Sequence, residues 1–250
     1  MEKLNSRQNR LVKEFRALSR EAALRYERGL FVCDGLKLLD EALRSGAEVE
    51  TVLWNGTREE RFPAFREEAL LDGALFDYVS PLKNSPGPLF TVRIRADGEG
   101  GRGNPQRVLV LEGVQDPGNV GTVLRTADAF GIDLVVLLDG CADVYAPKTV
   151  RAGMGAVFRQ PVRRMTLAEL PVFCREKGLP LYAAALSDRA ADLRQIRLCP
   201  AAVCVGSEGK GLSGELKALC DGELIIPMCG AAESLNAAVA ASVIMWEMRR

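Results

Sequence analysis

The second half of this 250-residue chain alternates short apolar runs with helical stretches, and that alternation limits the possible folds more than any other feature. Strands are expected at 108–112, 134–138, 181–185, 202–205 and 223–226. Helices are expected near 119–130, 166–177, 212–219 and 234–248. Strands this short and apolar have no polar face to turn to water, so they belong in a parallel sheet covered by helices on both sides. Open sheets of that class place their ligands at the carboxyl ends of the strands.

The first part also reads as α/β. A basic amphipathic helix is expected over 7–25, with Leu11, Phe15, Leu18 and Ala22 at helical spacing. A strand at 30–33, a helix at 36–43, a strand at 49–54, a helix at 59–70 and strands at 75–79 and 89–94 follow, with a turn at Pro86-Gly87-Pro88. Residues 96–106 are Gly-rich and polar and read as a linker. The chain therefore divides into 1–95, the linker 96–106, and 107–250.

Composition removes several chemistries. There is no histidine, so a His general base and a His metal site are excluded, and no metal is expected. The seven cysteines are odd in number, scattered and without a CxxC pair, which reads as small side chains in a reducing cytosol. No apolar run reaches membrane-spanning length and the amino end has no apolar signal core, so a cytoplasmic location is expected. Net charge is zero, yet residues 1–30 carry eight Lys or Arg against four Glu. A second basic cluster is Lys148, Arg151, Arg159, Arg163 and Arg164. Such patches bind phosphate backbones or serve as solvated faces.

Three segments carry polar groups at strand ends. In Gln115-Asp116-Pro117-Gly118-Asn119-Val120-Gly121, a tight turn leads into a helix for which Asn119 is the expected cap. Val120, Val123, Leu124, Ala127 and Phe130 form the buried stripe of that helix. Arg125 lies off the stripe, free to act on a ligand or to pair with Asp128. In Val205-Gly206-Ser207-Glu208-Gly209-Lys210-Gly211, a buried strand meets a Gly-rich loop that is neither a Rossmann nor a Walker pattern. In Ile226-Pro227-Met228-Cys229-Gly230, followed by Ser234-Leu235-Asn236, a strand ends in a loop and enters an Ala-rich helix with Ser234 as the expected cap.

The three segments together resemble the SpoU (TrmH-like) RNA 2′-O-ribose methyltransferases. The resemblance rests on Asn119, Gly121 and Arg125, on Gly206, Glu208 and Gly211, and on Ile226-Pro227-Met228, Gly230 and Ser234-Leu235-Asn236, in order and spacing over 108–248. The stretch from Ala146-Pro147-Lys148 to Pro161-Val162 is similar to the family's middle segment. Ser6–Lys13 and Gly29–Gly35 are similar to the substrate-binding domain of ribosomal-RNA members, with Arg10 for the usual Pro, Asp34 for the usual Glu and Pro86-Gly87-Pro88 for Pro-Gln-Gly.

The resemblance implies an α/β fold with a C-terminal trefoil-knotted, parallel-sheet methyltransferase domain, a smaller N-terminal α/β domain, and a homodimer formed through the C-terminal domain. It implies S-adenosyl-L-methionine as cofactor, held around Leu186, Gly206, Ile226, Met228 and Leu235. Arg125, Asn119, Glu208, Ser234 and Asn236 would form the catalytic set, with Arg125 acting as base or as a phosphate clamp. RNA, ribosomal rather than transfer, would lie on Arg7, Arg10, Lys13, Lys148 and Arg151. A non-catalytic RNA-binding protein with a relict cofactor pocket is the reading from another class. Deleting 1–95 is expected to spare cofactor binding and abolish RNA methylation.

Overall fold

In a computed structural model of the chain, residues 1–82, 85–95, 103–230 and 234–250 are described. The expected linker falls mostly outside them. From the amino end the chain forms β1 (Glu2–Leu4), α1 (Arg10–Arg20), α2 (Ala22–Arg28), β2 (Leu30–Asp34), α3 (Leu36–Arg44), β3 (Val49–Asn55), β4 (Glu67–Leu71), α4 (Gly73–Val79) and β5 (Leu89–Arg93). It continues as β6 (Arg107–Leu111), α5 (Pro117–Phe130), β7 (Leu134–Leu137), α6 (Pro147–Gly153), β8 (Val162–Arg164), α7 (Glu169–Lys177) and β9 (Leu181–Ala184). The last elements are β10 (Ala191–Asp192), β11 (Ala201–Val205), α8 (Gly214–Leu219), β12 (Gly222–Ile225) and α9 (Ala237–Arg249). Two compact units result. One is Met1–Arg95 with Asp143–Phe158, and the other is Ala96–Ala142 with Arg159–Arg250. No helix among the described residues is long and apolar enough to cross a membrane.

The first unit holds a mixed sheet in the order β1-β4-β3-β5-β2, in which β5 runs antiparallel to both its neighbours. Alternate residues of β2 serve opposite faces. Val32 packs with Leu11, Val12, Phe15 and Leu18 of α1, whereas Phe31 packs with Trp54, Phe90, Val150 and Phe158. The expected helix over 7–25 is in fact two helices, parted at Glu21, whose backbone is extended (φ −108°, ψ 108°). Asn9 caps α1 by accepting from Leu11 N at 2.9 Å. Arg10 follows at the first helical position, a place where Pro is tolerated because its N–H is unused, so Arg for Pro leaves the helix start intact.

Two sequence expectations in this unit are overturned. The helix expected over 59–70 is an irregular stretch ending in β4. Glu68 fixes it by accepting from Phe65 N (2.7 Å), Trp54 Nε1 (3.0 Å) and Arg58 Nε (2.9 Å). The strand expected at 75–79 is α4, because Asp72 accepts from Leu75 N at 2.7 Å and starts a helix there. The turn at Pro86-Gly87-Pro88 is as expected and requires glycine. Gly87 has φ +75°, and an added Cβ would stand 2.7 Å from Phe76 Cζ.

Arg25, counted above in the basic amino-terminal patch, is buried at 3% exposure. Its Nε and Nη2 meet Asp143 Oδ2 at 2.8 and 2.6 Å, and its Nη1 donates to Leu18 O. Asp143 Oδ1 accepts from Tyr26 Oη at 2.8 Å and Tyr145 N at 3.1 Å. This pair fastens the start of 143–158, whose Val150 and Phe158 complete one core of the unit. Deleting 1–95 would therefore uncover those side chains, so the truncation does not isolate one function.

The second unit has a sheet in the order β10-β12-β9-β11-β6-β7-β8, parallel at every pairing. The chain lays β6, β7 and β8 side by side, returns to β9, and then inserts β11 between β9 and β6. Val108 and Val110 face a core with Leu170, Phe173 and Leu216, while α5 and α9 pack together and α9 crosses β6 and β11 on the other face. All five strands expected here exist, with bounds moved by one residue. The short β8 and β10, and α6 in the first unit, were not expected. Of the cysteines, Cys33, Cys174 and Cys204 are buried, and all seven are free thiols. Burial pushes the Cys174 thiol up to about 11.

Replacing Arg25 by Ala would leave the Asp143 carboxylate buried without its cation. Breaking a buried pair from one side costs about 3–5 kcal/mol, so urea unfolding of Arg25→Ala should show a loss of that size.

Candidate active site

The parallel sheet brings the three polar segments together at its carboxyl end. Where β6 ends, Glu112 accepts from Ser213 N and Ser213 Oγ, both at 2.7 Å, and so holds the far side of the loop that follows β11. That loop is drawn tight at Gly206. An added Cβ there would lie 2.2 Å from Gly211 C and 2.5 Å from Leu212 N, so no side chain fits.

The cap expectations are corrected here. Asp116, not Asn119, caps α5, accepting from Gly118 N at 2.6 Å and Asn119 N at 3.1 Å. Asn236, not Ser234, caps α9, accepting from Ala238 N at 3.0 Å and Val239 N at 3.2 Å. Relieved of capping, the Asn119 side chain donates to Glu208 Oε1 at 2.8 Å. The same oxygen accepts from Asn236 Nδ2 and, at 3.3 Å, from Ala237 N, while Asn236 Nδ2 also reaches Asn119 Oδ1 at 3.2 Å. Glu208 thus anchors two amides. Asn119, Glu208 and Asn236 form one cluster.

Beside this cluster lies a cavity of about 400 Å³. Leu186, Gly206, Ile226, Met228 and Leu235 all line it, and so do Ser234 and Glu208. Apolar walls with a few polar groups and tightly folded backbone suit a nucleoside-sized ligand. Lys210 and Lys217 also line the cavity and were not anticipated. Nor was the Glu112–Ser213 clamp, which only strand order reveals, since β6 and β11 pair with Leu111 beside Val205.

Arg125 is placed differently. It is exposed on α5, outside the cavity lining, about 9 Å along the helix from Asn119 at 1.5 Å per residue. It does not pair with Asp128, whose carboxylate is taken by Arg159 at 2.8 Å. The expected RNA-contacting residues are all in the first unit. Arg7 and Arg16 stack on Tyr78 with 4.3 and 3.7 Å to the ring centre, Arg10 pairs with Glu14 and Glu67, and Lys13, Lys148 and Arg151 are exposed. The second basic cluster is split, with Lys148 and Arg151 in the first unit and Arg159, Arg163 and Arg164 in the second.

Gly206→Ala should force the loop after β11 apart, at an overpacking cost of about 1–3 kcal/mol. A lowered Tm in calorimetry would register it, with Gly209→Ala, where nothing lies within 4 Å, as the tolerated control.

Comparison with known proteins agrees with this geometry. Residues 106–246 match the model of the SpoU rRNA Methylase family. Over 250 residues, covering all of both chains, the sequence is 34% identical to the Bacillus subtilis 23S rRNA (guanosine(2553)-2′-O)-methyltransferase RlmP. The fold matches the AdoMet-bound rRNA methyltransferase of Sinorhizobium meliloti with TM-score 0.86 at 28% identity, covering 99% of this chain and 97% of that one. It matches the SpoU methyltransferase AviRb of Streptomyces viridochromogenes in complex with AdoMet with TM-score 0.83 at 26% identity, covering 97% of each. With its three loops gathered on Glu208 and more than half its length matched, this chain belongs to the SpoU rRNA Methylase family.

Proposed function

We propose that this protein transfers a methyl group from S-adenosylmethionine to a ribose 2′-hydroxyl of ribosomal RNA. The observation that carries the proposal is the cavity at the carboxyl ends of β9, β11 and β12, walled by all five expected cofactor residues and bordered by the Asn119–Glu208–Asn236 cluster. Leu186, Ile226, Met228 and Leu235 would enclose the adenine, and Gly206 would let the loop backbone approach it. When bound, S-adenosylmethionine supplies an electrophilic methyl on a sulfonium. Ribosomal RNA is favoured because the relative matched over its whole length is named for 23S rRNA, and a cytoplasmic location would fit that substrate.

The chain's own part is to position groups. Asn119 and Asn236 hold the two helix starts against the loop. Ser234, exposed at the cavity, would meet the incoming ribose. Arg125 would grip an RNA phosphate with its planar guanidinium fork so that the hydroxyl is aimed. Lys13, Arg7 and Arg10 on the first unit, with Lys148 and Arg151, would hold the RNA backbone.

We also propose that the second unit carries the family's knot and pairs with a second copy. Val239, Val243 and Trp246 recur at helical spacing on α9 and are 49%, 36% and 59% exposed, an apolar stripe suited to a like surface.

The deciding experiment incubates the protein with labelled S-adenosylmethionine and, separately, unmodified ribosomal and transfer RNA. Label in an alkali-resistant dinucleotide from ribosomal RNA is the expected result. Label from transfer RNA alone would move the substrate, and none from either, with no cofactor bound, would favour a relict pocket.

Arg125→Ala should lower kcat/KM by about 10³-fold, the scale of a lost charge-assisted contact. Arg125→Lys should retain more activity with an unchanged pH profile, whereas a displaced profile would make Arg125 the base. Trp246→Glu should convert the dimer to monomer in sedimentation.

A further inference from the structure

The amino end of the second unit's sheet, opposite the cofactor loops, holds another cavity, of about 470 Å³. Arg107, Arg194, Arg197, Arg249 and Arg250 all line it. Arg107 opens β6, Arg194 and Arg197 precede β11, and Arg249 and Arg250 end α9. Two of the five have carboxylate partners, Arg194 with Asp192 and Arg250 with Glu247. The other three have none among the described residues.

Capping of α9 does not account for the group. Lys and Arg side chains do complement the carbonyl end of a helix, but only Arg107 reaches one of its carbonyls, donating from Nε to Met248 O at 3.0 Å. Arg197 lines the cavity with its Nε donating to Cys199 O at 3.0 Å, and its two terminal nitrogens make no hydrogen bond among the described residues. The Arg249 side chain makes no hydrogen bond or ion pair among the described residues and is exposed. Planar forks held in this way bind phosphate oxygens in pairs.

We propose that this arginine-lined cleft is a second phosphate-binding surface for the RNA substrate. The inference rests on the reading of this unit as an RNA methyltransferase and adds to it a contact remote from the reacting ribose. The span is set by α9, whose thirteen residues follow its cap Asn236 in the active-site cluster and end at the cleft. At 1.5 Å per residue this is about 20 Å, a distance that several nucleotides of one bound RNA would cover.

The test uses the full chain carrying Arg197→Gln and Arg249→Gln together. Affinity for a fluorescent ribosomal RNA transcript is measured by anisotropy across a salt series, alongside methylation kinetics. Loss of two phosphate contacts should make the slope of log K against log salt shallower by about 1.4–1.8. KM for RNA should rise roughly tenfold at unchanged kcat, since the contact adds to binding and not to the chemical step. The pair Arg197→Lys and Arg249→Lys keeps both charges and should restore most of the slope, which separates lost contacts from a damaged fold. A Gln variant with the parent's slope and KM would overturn the cleft. A parent that neither methylates RNA nor binds S-adenosylmethionine would overturn the enzymatic reading, and the anisotropy slope would still decide on the cleft.

Discussion

One carboxylate oxygen carries much of the site. Glu208 Oε1 accepts from Asn119 Nδ2, Asn236 Nδ2 and Ala237 N, and these donors come from the first turn of α5 and the start of α9. An ionised carboxylate only accepts, so both amides must turn their NH₂ groups inward. Asn236 then presents its oxygen to α9 and caps it. A single residue thereby fixes the amide orientations, the start of one helix and the path of the loop after β11. The cavity beside it follows from that path, because Gly206 lets the loop fold back on Gly211 with no room for a side chain.

The sequence made the parallel sheet legible because its strands are apolar on both faces, a pattern few other settings produce. The same clarity did not extend to helix starts. Asp116 and Asn119, like Ser234 and Asn236, are all competent caps, and which one is used depends on the direction in which the chain arrives. Glu208 was legible as a site residue but its partners were not, since Asn119 lies 89 positions away and only strand order brings them together. In the first unit, runs such as Leu75–Val79 are too short for periodicity to separate strand from helix. There the Asp72 cap decides, and it was the available signal.

The domain boundary illustrates a different limit. Composition marks a boundary where the chain becomes polar and Gly-rich, as at 96–106. It gives no sign of a passage made by well-packed chain. Asp143–Phe158 joins β7 to β8, yet it belongs to the first unit. Its Val150 and Phe158 sit with Phe31, Trp54 and Phe90, and Asp143 neutralises the buried Arg25. Arg25 looked like part of a basic surface because its neighbours in sequence are basic and exposed. Its burial is explained by a carboxylate 118 positions away.

The absence of histidine connects the architecture to the proposed chemistry. No side chain here has an ordinary pKa near neutrality, so proton transfer through a tuned imidazole is not open to this protein. An in-line displacement at an already activated methyl asks mainly for alignment, and alignment is what hydrogen-bonded loops supply. Asn119, Glu208 and Asn236 are held in fixed amide and carboxylate geometry by their mutual hydrogen bonds. A site built in this way depends on the integrity of its loops more than on the ionisation of any one group. Its structural supports are Gly206 at the fold-back, where no side chain fits, and Glu208 at the junction, where one oxygen takes three donors.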